Sequence, residues 1–191
     1  MAFGLETGPD TVVNIKVIGV GGGGCKILSK VSSTVEKVFI NTDKEDVEKY
    51  AGLCIGQKIC GGLSAGGDVN YGELAVLESK LQILEQLNKF SNWIIIAPMG
   101  GGTSCGATKK LVEIGVENNK SVKVMTSMPF DWEGNSRKLR SVKTIDYIKN
   151  LCEIIGIKID WEKITRRLTL KDSFNLLDEL YINKLSEILS E

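Results

Sequence analysis

The sequence predicts a three-layer α/β fold in which a mostly parallel sheet carries helices on both faces, and three observations predict it. Short apolar, β-branched runs alternate with amphipathic segments along the chain, a pattern typical of repeated βαβ units. Two of these runs end in glycine clusters, as strand-to-helix loops at ligand sites do. The 191 residues, 42% of them apolar, suffice for one buried core but not for a second full domain. We therefore expect a flexible N-terminus over residues 1–12 and one domain over residues 13–191.

The apolar pattern predicts the order of the elements, since strands repeat every two residues and helices about every 3.6. Strands are predicted over residues 13–20, 35–43, 93–98, 121–128 and 152–159. Helices are predicted over residues 26–33, 44–50, 71–90, 104–118, 133–151 and 169–189, the last preceded by a less regular basic segment. Residues 51–70 contain six glycines and are too long for an ordinary connection. They form either a flexible linker or a functional loop, and we favour the loop.

Charge and cysteine content exclude several classes of function. Lysines and arginines number 24 and so do aspartates and glutamates, so the basic excess of a nucleic-acid-binding protein is missing. Five cysteines without a Cys-x-x-Cys pair, and no histidine, predict free thiols and no zinc site. No signal peptide and no apolar run of about 18 residues is present, so we expect a soluble, cytoplasmic protein. Membrane association through a partner is left open.

The first glycine cluster, GVGGGG (Gly19–Gly24), lies between a predicted strand and a predicted helix. Glycines there allow positive φ and close approach of the backbone to a phosphate, while the helix start offers unpaired N–H groups and its positive dipole end. The cluster also matches G-x-G-x-x-G, with Asp43 nineteen residues after Gly24, as in dinucleotide sites. A dinucleotide-dependent oxidoreductase, using NAD or NADP, is therefore an alternative. A tight turn without a ligand is another.

A second cluster, MGGGTSCGA (Met99–Ala107), again separates a predicted strand from a predicted helix. Its glycines would direct N–H groups at phosphate oxygens, and its hydroxyl residues would add donors. A dinucleotide-binding fold requires only one such glycine loop. Two glycine loops at neighbouring strand ends, by contrast, can hold a polyphosphate from both sides. A third cluster, GGLSAGGD (Gly61–Asp68), is placed to close over the terminal phosphate.

Five motifs in this order, GVGGGG, INTD, GLSAGG, MGGGTSCGA and PFDWEGNSRK, resemble the GTPase domain of FtsZ and tubulin. The resemblance extends from about Val13 to the last helix and implies a Rossmann-like fold similar to the tubulin nucleotide-binding domain. The family signature G-G-G-T-G-[ST]-G differs here at two positions, where Ser104 replaces a glycine and Cys105 a hydroxyl residue.

The resemblance implies that GTP or GDP, with Mg²⁺, binds to one set of residues. These are Gly21, Gly22, Gly23, Asp43, Ala65, Gly66, Gly67, Gly100, Gly101, Gly102, Thr103, Ser104, Glu133, Arg137, Phe174 and Asp178. Lys26, a positive charge beside the first glycine loop, is added to this set. Asp43 would lie near the Mg²⁺ and the γ-phosphate without a directly assigned metal bond. Glu133 and Arg137 would hold the ribose and its flank, although an i,i+4 surface pair is the alternative.

The last helix carries an apolar stripe, and Phe174 and Asp178 lie one turn apart on it. By resemblance, the ring stacks on guanine and the carboxylate accepts from its N1–H and N2–H. The alternatives are a core phenylalanine and a solvated aspartate. Lys26 and Lys158 occupy places where bacterial FtsZ has asparagines, which leaves selectivity between guanine and adenine open; Lys26 could pair with a phosphate instead.

The resemblance implies a nucleotide-dependent switch or assembly factor, linked to cell division or membrane remodelling, that forms homo-oligomers or assembles with another FtsZ-like protein. The family's catalytic loop and second domain follow the last helix, beyond Glu191. We therefore expect slow GTP hydrolysis. The polar outer face of the last helix favours a naturally single-domain protein. A scaffold that has kept the fold and lost the ligand is the remaining alternative.

Overall fold

A computed structural model describes residues 14–161 and 168–190. The strands are β1 (Ile15–Val20), β2 (Lys37–Asn41), β3 (Leu53–Cys54), β4 (Asn92–Ile96), β5 (Ser121–Thr126) and β6 (Glu153–Gly156). The helices are α1 (Gly21–Ser29), α2 (Lys44–Glu48), α3 (Gln57–Cys60), α4 (Val69–Glu78), α5 (Lys80–Leu87), α6 (Gly102–Glu117), α7 (Asn135–Ile148) and α8 (Leu170–Ser190), with a short 3-10 turn at Asp131–Glu133. The predicted flexible N-terminus and part of the basic segment before the last helix lie outside the described residues.

The strands form one six-stranded sheet in the order β3-β2-β1-β4-β5-β6, and every neighbouring pair is parallel. The predicted α/β class is thus confirmed, and the sheet is wholly parallel among these strands rather than mostly so. The central strands read as continuous apolar runs because both of their faces are covered.

Each face of the sheet has its own core. On one face, Ile18 and Ile95 pack with residues of α4, α5, α6 and α7. On the other, Val17 and Ile94 pack with residues of α1 and α8. Successive side chains of a strand point to opposite faces, so neighbouring residues of β1 supply both cores.

Two predicted helix boundaries were wrong because of close packing against glycine. The first helix begins at Gly21, not at Lys26. A Cβ built onto Gly24 would lie 2.2 Å from the carbonyl oxygen of Ile96, so only glycine lets α1 start directly on the sheet. The helix that follows the second glycine cluster also starts early, since α6 begins at Gly102 and not at Ser104.

The predicted helix over residues 71–90 is divided at Ser79 into α4 and α5. The Ser79 hydroxyl accepts a hydrogen bond from the backbone N–H of Gly56 at 3.0 Å. The glycine-rich segment over residues 51–70 is therefore held against this break, and it contains β3 and α3. Apolar periodicity alone does not reveal such a break, because both halves bury the same face.

The strand order creates a crevice above the middle of the sheet. Strands β1 and β4 are neighbours, yet α1, which follows β1, packs on one face and α6, which follows β4, packs on the other. The chain therefore leaves the sheet in opposite directions at adjacent strand ends. This place, where the connections of two adjacent strands go to opposite faces, is the topological switch point of the sheet. In open parallel sheets, ligands bind in the crevice at the switch point.

Candidate functional site

A cleft of about 770 Å³ opens above the carboxyl ends of β1 and β4. Every residue that the sequence analysis assigned to the nucleotide, from Gly21 to Asp178, lines it. Lys158 does not belong to this lining and contributes instead to a neighbouring apolar groove beside Trp161. Of the two lysines that occupy the asparagine positions, only Lys26 therefore lines the cleft.

The first two glycine loops touch each other on the floor of the cleft. A Cβ built onto Gly21 would lie 3.4 Å from the backbone N of Ser104. The hydroxyls of Thr42 and Thr103 are 2.8 Å apart, which ties the end of β2 to the start of α6. The N-termini of α1 and α6 thus converge on one volume, where unpaired N–H groups and two helix dipoles favour an anion.

The two residues that differ from the family signature, Ser104 and Cys105, both accept hydrogen bonds from the backbone of their own loop. Gly101 N–H donates to the Ser104 hydroxyl at 3.2 Å, and Gly100 N–H donates to Cys105 Sγ at 3.3 Å. Cys105 is fully buried, so its thiol serves as an acceptor beneath the loop. The departures therefore preserve loop hydrogen bonding.

The third glycine loop closes one end of the cleft. Gly66 and Gly67 adopt positive φ values of 59° and 81°, which side-chain-bearing residues rarely tolerate. A Cβ on Gly102 would lie 2.8 Å from the carbonyl carbon of Gly67. The absence of a side chain at Gly102 thus allows this loop to approach the start of α6.

Two carboxylates stand on the side of the cleft formed by β2 and α2. The Asp43 carboxylate caps α2 by accepting from Asp46 N–H at 3.0 Å. The Asp46 carboxylate accepts from the Asn41 side-chain amide at 3.0 Å and would lie 3.0 Å from a Cβ on Gly22. Sequence reasoning found Asp43 and missed Asp46, although three-residue spacing on a helix indicates a shared face.

Glu133 and Arg137 line the cleft and also form the ion pair expected for a surface helix, at 2.9 Å. The other Glu133 oxygen accepts from Phe130 N–H at 2.8 Å. A contact with the ribose and an i,i+4 surface ion pair are therefore compatible roles for these two residues. Arg140, one turn further along α7, also lines the cleft and was missed.

The far end of the cleft is formed by α8. Asp178 is only 5% exposed, and its carboxylate lies 3.2 Å from Lys26 Nζ and 2.8 Å from Lys30 Nζ. Phe174 is 38% exposed and meets Phe130 edge-on, with ring centroids 5.2 Å apart. The alternatives of a core phenylalanine and a solvated aspartate are therefore both wrong.

A buried hydrogen bond anchors this part of α8 to the sheet. The hydroxyl of Tyr181 lies 3.1 Å from that of Ser127, just beyond β5. Tyr181 is fully buried, and burial raises the pKa of its phenol. Leu177 and Leu185 are buried on either side of it, whereas Leu170, at the start of the predicted apolar stripe, is exposed. The side chains at positions 174 and 178 are thus presented by a fixed helix.

The fold and the cleft define a class of protein: an open parallel α/β sheet with an anion-accepting crevice at its switch point. The Tubulin/FtsZ family model, GTPase domain, matches residues 14–166. The chain belongs to the tubulin/FtsZ family, as the order of its glycine motifs indicated. This membership does not support the dinucleotide-dependent oxidoreductase.

Relatives among curated proteins agree with the family assignment. The chain is 32% identical over 187 residues to the cell division protein FtsZ of Aquifex aeolicus, covering 92% of this chain and 51% of the relative. It is 30% identical over 187 residues to cell division protein FtsZ 1 of Pyrococcus horikoshii, covering 91% and 49%. The chain thus spans about half the length of the curated relatives it matches.

Solved structures show the same fold. An FtsZ dimer of M. jannaschii superposes with a TM-score of 0.80 at 26% identity, covering 91% of this chain and 53% of that one. CetZ2 of Haloferax volcanii, in a GTPγS-bound protofilament, superposes with a TM-score of 0.81 at 19% identity, covering 92% and 58%.

Within residues 14–161 and 168–190, no helix is both long enough and apolar enough to cross a membrane.

Proposed function

We propose that this cleft binds GTP and GDP and that the chain acts as a nucleotide-dependent switch or assembly factor. The observation that carries the proposal is the meeting of two helix N-termini through bare glycine loops, with Gly21 and Ser104 in near contact. A polyphosphate is the common ligand whose repeated charges suit two adjacent groups of N–H donors. Family membership supports the same ligand.

The orientation of the nucleotide follows from the two ends of the cleft. Phe174 offers an exposed aromatic face and Asp178 a carboxylate, which suit a purine carrying N–H donors. The glycine loops at the other end offer backbone N–H groups. The base therefore lies against α8 and the phosphates lie over α1 and α6. Glu133, between them, accepts from the ribose hydroxyls.

The carboxylates beside the first loop fit Mg²⁺. This cation prefers oxygen ligands and is usually held by one or two carboxylates together with phosphate oxygens and waters. Asp43 and Asp46 line the cleft, and no cluster of three or more metal-binding side chains occurs in the part of the chain described. These two carboxylates therefore suit a Mg²⁺ ion that is bound mainly by the phosphate oxygens. The ion would neutralise part of the phosphate charge.

We further propose self-assembly, or assembly with another FtsZ-like protein, and slow hydrolysis by this chain. The structural relatives include a dimer and a protofilament. The cleft carboxylates of Asp43, Asp46, Glu133 and Asp178 each bind a neighbouring group of this chain, which supports slow hydrolysis. Turnover should be measured across protein concentrations. A fast rate that rises steeply with concentration would show that subunits complete one another's sites.

Titration calorimetry with GTP, GDP, ATP, NAD and NADP tests the binding proposal directly. We expect saturable binding of GTP and GDP and weaker binding of ATP. Tighter binding of NAD or NADP than of GTP would contradict the proposal. Acid extraction of the purified protein followed by nucleotide chromatography addresses the ligand-free scaffold, which is excluded if guanine nucleotide co-purifies. Absence of binding by every nucleotide would favour the scaffold.

A further inference from the structure

Arg140 of α7 is hydrogen-bonded to the second glycine loop (Met99–Ala107), which follows β4. Its guanidinium donates two hydrogen bonds to the carbonyl oxygen of Gly100, from Nε at 3.1 Å and from Nη2 at 2.9 Å. Gly100 has a φ of 117°, and its N–H is held by Cys105. The loop is thus clamped at one residue through both of its backbone polar groups.

The same guanidinium lies against the third glycine loop. A Cβ built onto Gly67 would be 3.4 Å from Arg140 Nη2 and 3.7 Å from Nη1. Gly67 has a positive φ of 81° and no side chain to separate its backbone from the arginine. Arg140 therefore connects the loop that follows β4 with the loop that precedes α4.

The position of Arg140 assigns it to the end of the phosphate tail. Arg140 belongs to α7, as Arg137 does, but its guanidinium lies beside Gly67 of the third glycine loop. Asp178 and Lys26, by contrast, belong to helices on the opposite face of the sheet. Arg140 lines the cleft and is half-buried. A guanidinium has five N–H donors, and the bonds to Gly100 use two of them. The remaining donors suit phosphate oxygens, to which arginine binds with strong, directional hydrogen bonds.

We propose that Arg140 is a positioning and specificity residue that favours a nucleoside triphosphate over a diphosphate. It orders the second and third loops through Gly100 and Gly67 and places a positive charge where the terminal phosphate enters. This inference rests on the proposed nucleotide function. It goes beyond it by naming the side chain that discriminates the number of phosphates.

The test compares Arg140→Ala and Arg140→Lys with the wild-type chain by calorimetry with GTP and GDP. We expect Arg140→Ala to weaken GTP binding by about tenfold or more, since a hydrogen bond to a charged group is lost, and to weaken GDP binding clearly less. Arg140→Lys keeps the charge but not the forked geometry, so part of the GTP preference should return. Lys143→Ala is the matched control, because Lys143 lines the neighbouring groove and not the cleft.

The outcomes separate this inference from the proposed function. If the wild-type chain binds neither nucleotide, both are overturned. If the wild type binds GTP and Arg140→Ala loses equal affinity for GTP and GDP, or none, only the role of Arg140 is overturned. Thermal melts identify unfolding of the alanine variant; in that case Arg140→Lys decides the question through its GTP to GDP affinity ratio, and a wild-type ratio would refute the inference.

Discussion

Lys26 Nζ lies 3.2 Å from the Asp178 carboxylate and so joins the helix after the first glycine loop to the last helix of the chain. Lys30 approaches the same carboxylate oxygen at 2.8 Å. A carboxylate that is only 5% exposed needs such partners. Under the proposed function, a base that enters the cleft would meet an acceptor already oriented by two ammonium groups.

Asp178→Ala should reduce the preference for GTP over ATP. Guanine N1–H and N2–H need an acceptor, and a hydrogen bond to a charged group contributes about 1.5–3 kcal/mol, so the affinity ratio should fall roughly tenfold or more. The ratio is measured by calorimetry. Glu179→Ala, at an exposed neighbouring carboxylate, is the control and should keep the wild-type ratio. An unchanged ratio in Asp178→Ala would place the base elsewhere.

Gly101→Val should abolish nucleotide binding while leaving the fold intact. Gly101 has an extended backbone with φ −84° and ψ 158°, and a Cβ there would meet only the Ser104 hydroxyl, at 3.2 Å. The branched side chain would then fill space that phosphate needs. In Gly106→Ala, by contrast, the new Cβ would lie 2.1 Å from the Val69 carbonyl oxygen. This control should lower the melting temperature, and retained affinity in a folded Gly101→Val protein would refute the use of the loop.

Glu133→Gln should weaken discrimination between GTP and 2′-deoxy-GTP. The carboxylate is placed by Phe130 N–H and by Arg137, and a charged acceptor binds a ribose hydroxyl more strongly than an amide does. The glutamine can retain the hydrogen bond from Phe130, so the turn should persist. Competition binding measures the ratio of the two affinities. If the ratio of GTP affinity to 2′-deoxy-GTP affinity is the same in Glu133→Gln and in the wild type, Glu133 does not bind the ribose and serves only as the ion-pair partner of Arg137.

Cys25 should make the free energy of unfolding fall in alkaline solution. Burial raises the pKa of its thiol from 9.0 to about 12, and the Asp46 carboxylate adds to the effect. The folded thiol keeps its proton where the unfolded thiol ionises, so its contribution is complete below pH 9.0 and is lost as the pH rises towards 12. Denaturant melts at pH 7.5 and 10, with a reducing agent, should show a larger loss for the wild type than for Cys25→Ala. Parallel losses would contradict the prediction.

Short-range features allowed much of the site to be predicted. The glycine clusters lie at strand ends, as expected, because the apolar pattern of a parallel strand and the conformational freedom of glycine are properties of a few consecutive residues. Helix boundaries were less predictable. The starts at Gly21 and Gly102 and the break at Ser79 depend on close approach to other elements.

The sequence by itself determined the alternation of strands and helices, the glycine loops and the one-turn spacing of Phe174 and Asp178. Tertiary structure alone decided that Arg140 clamps Gly100 and that Lys30 reaches Asp178, 40 and 148 positions away along the chain. The reason is physical. Local periodicity fixes which face of an element is apolar, whereas the packing of separate elements on the two sides of a sheet decides which polar side chains meet.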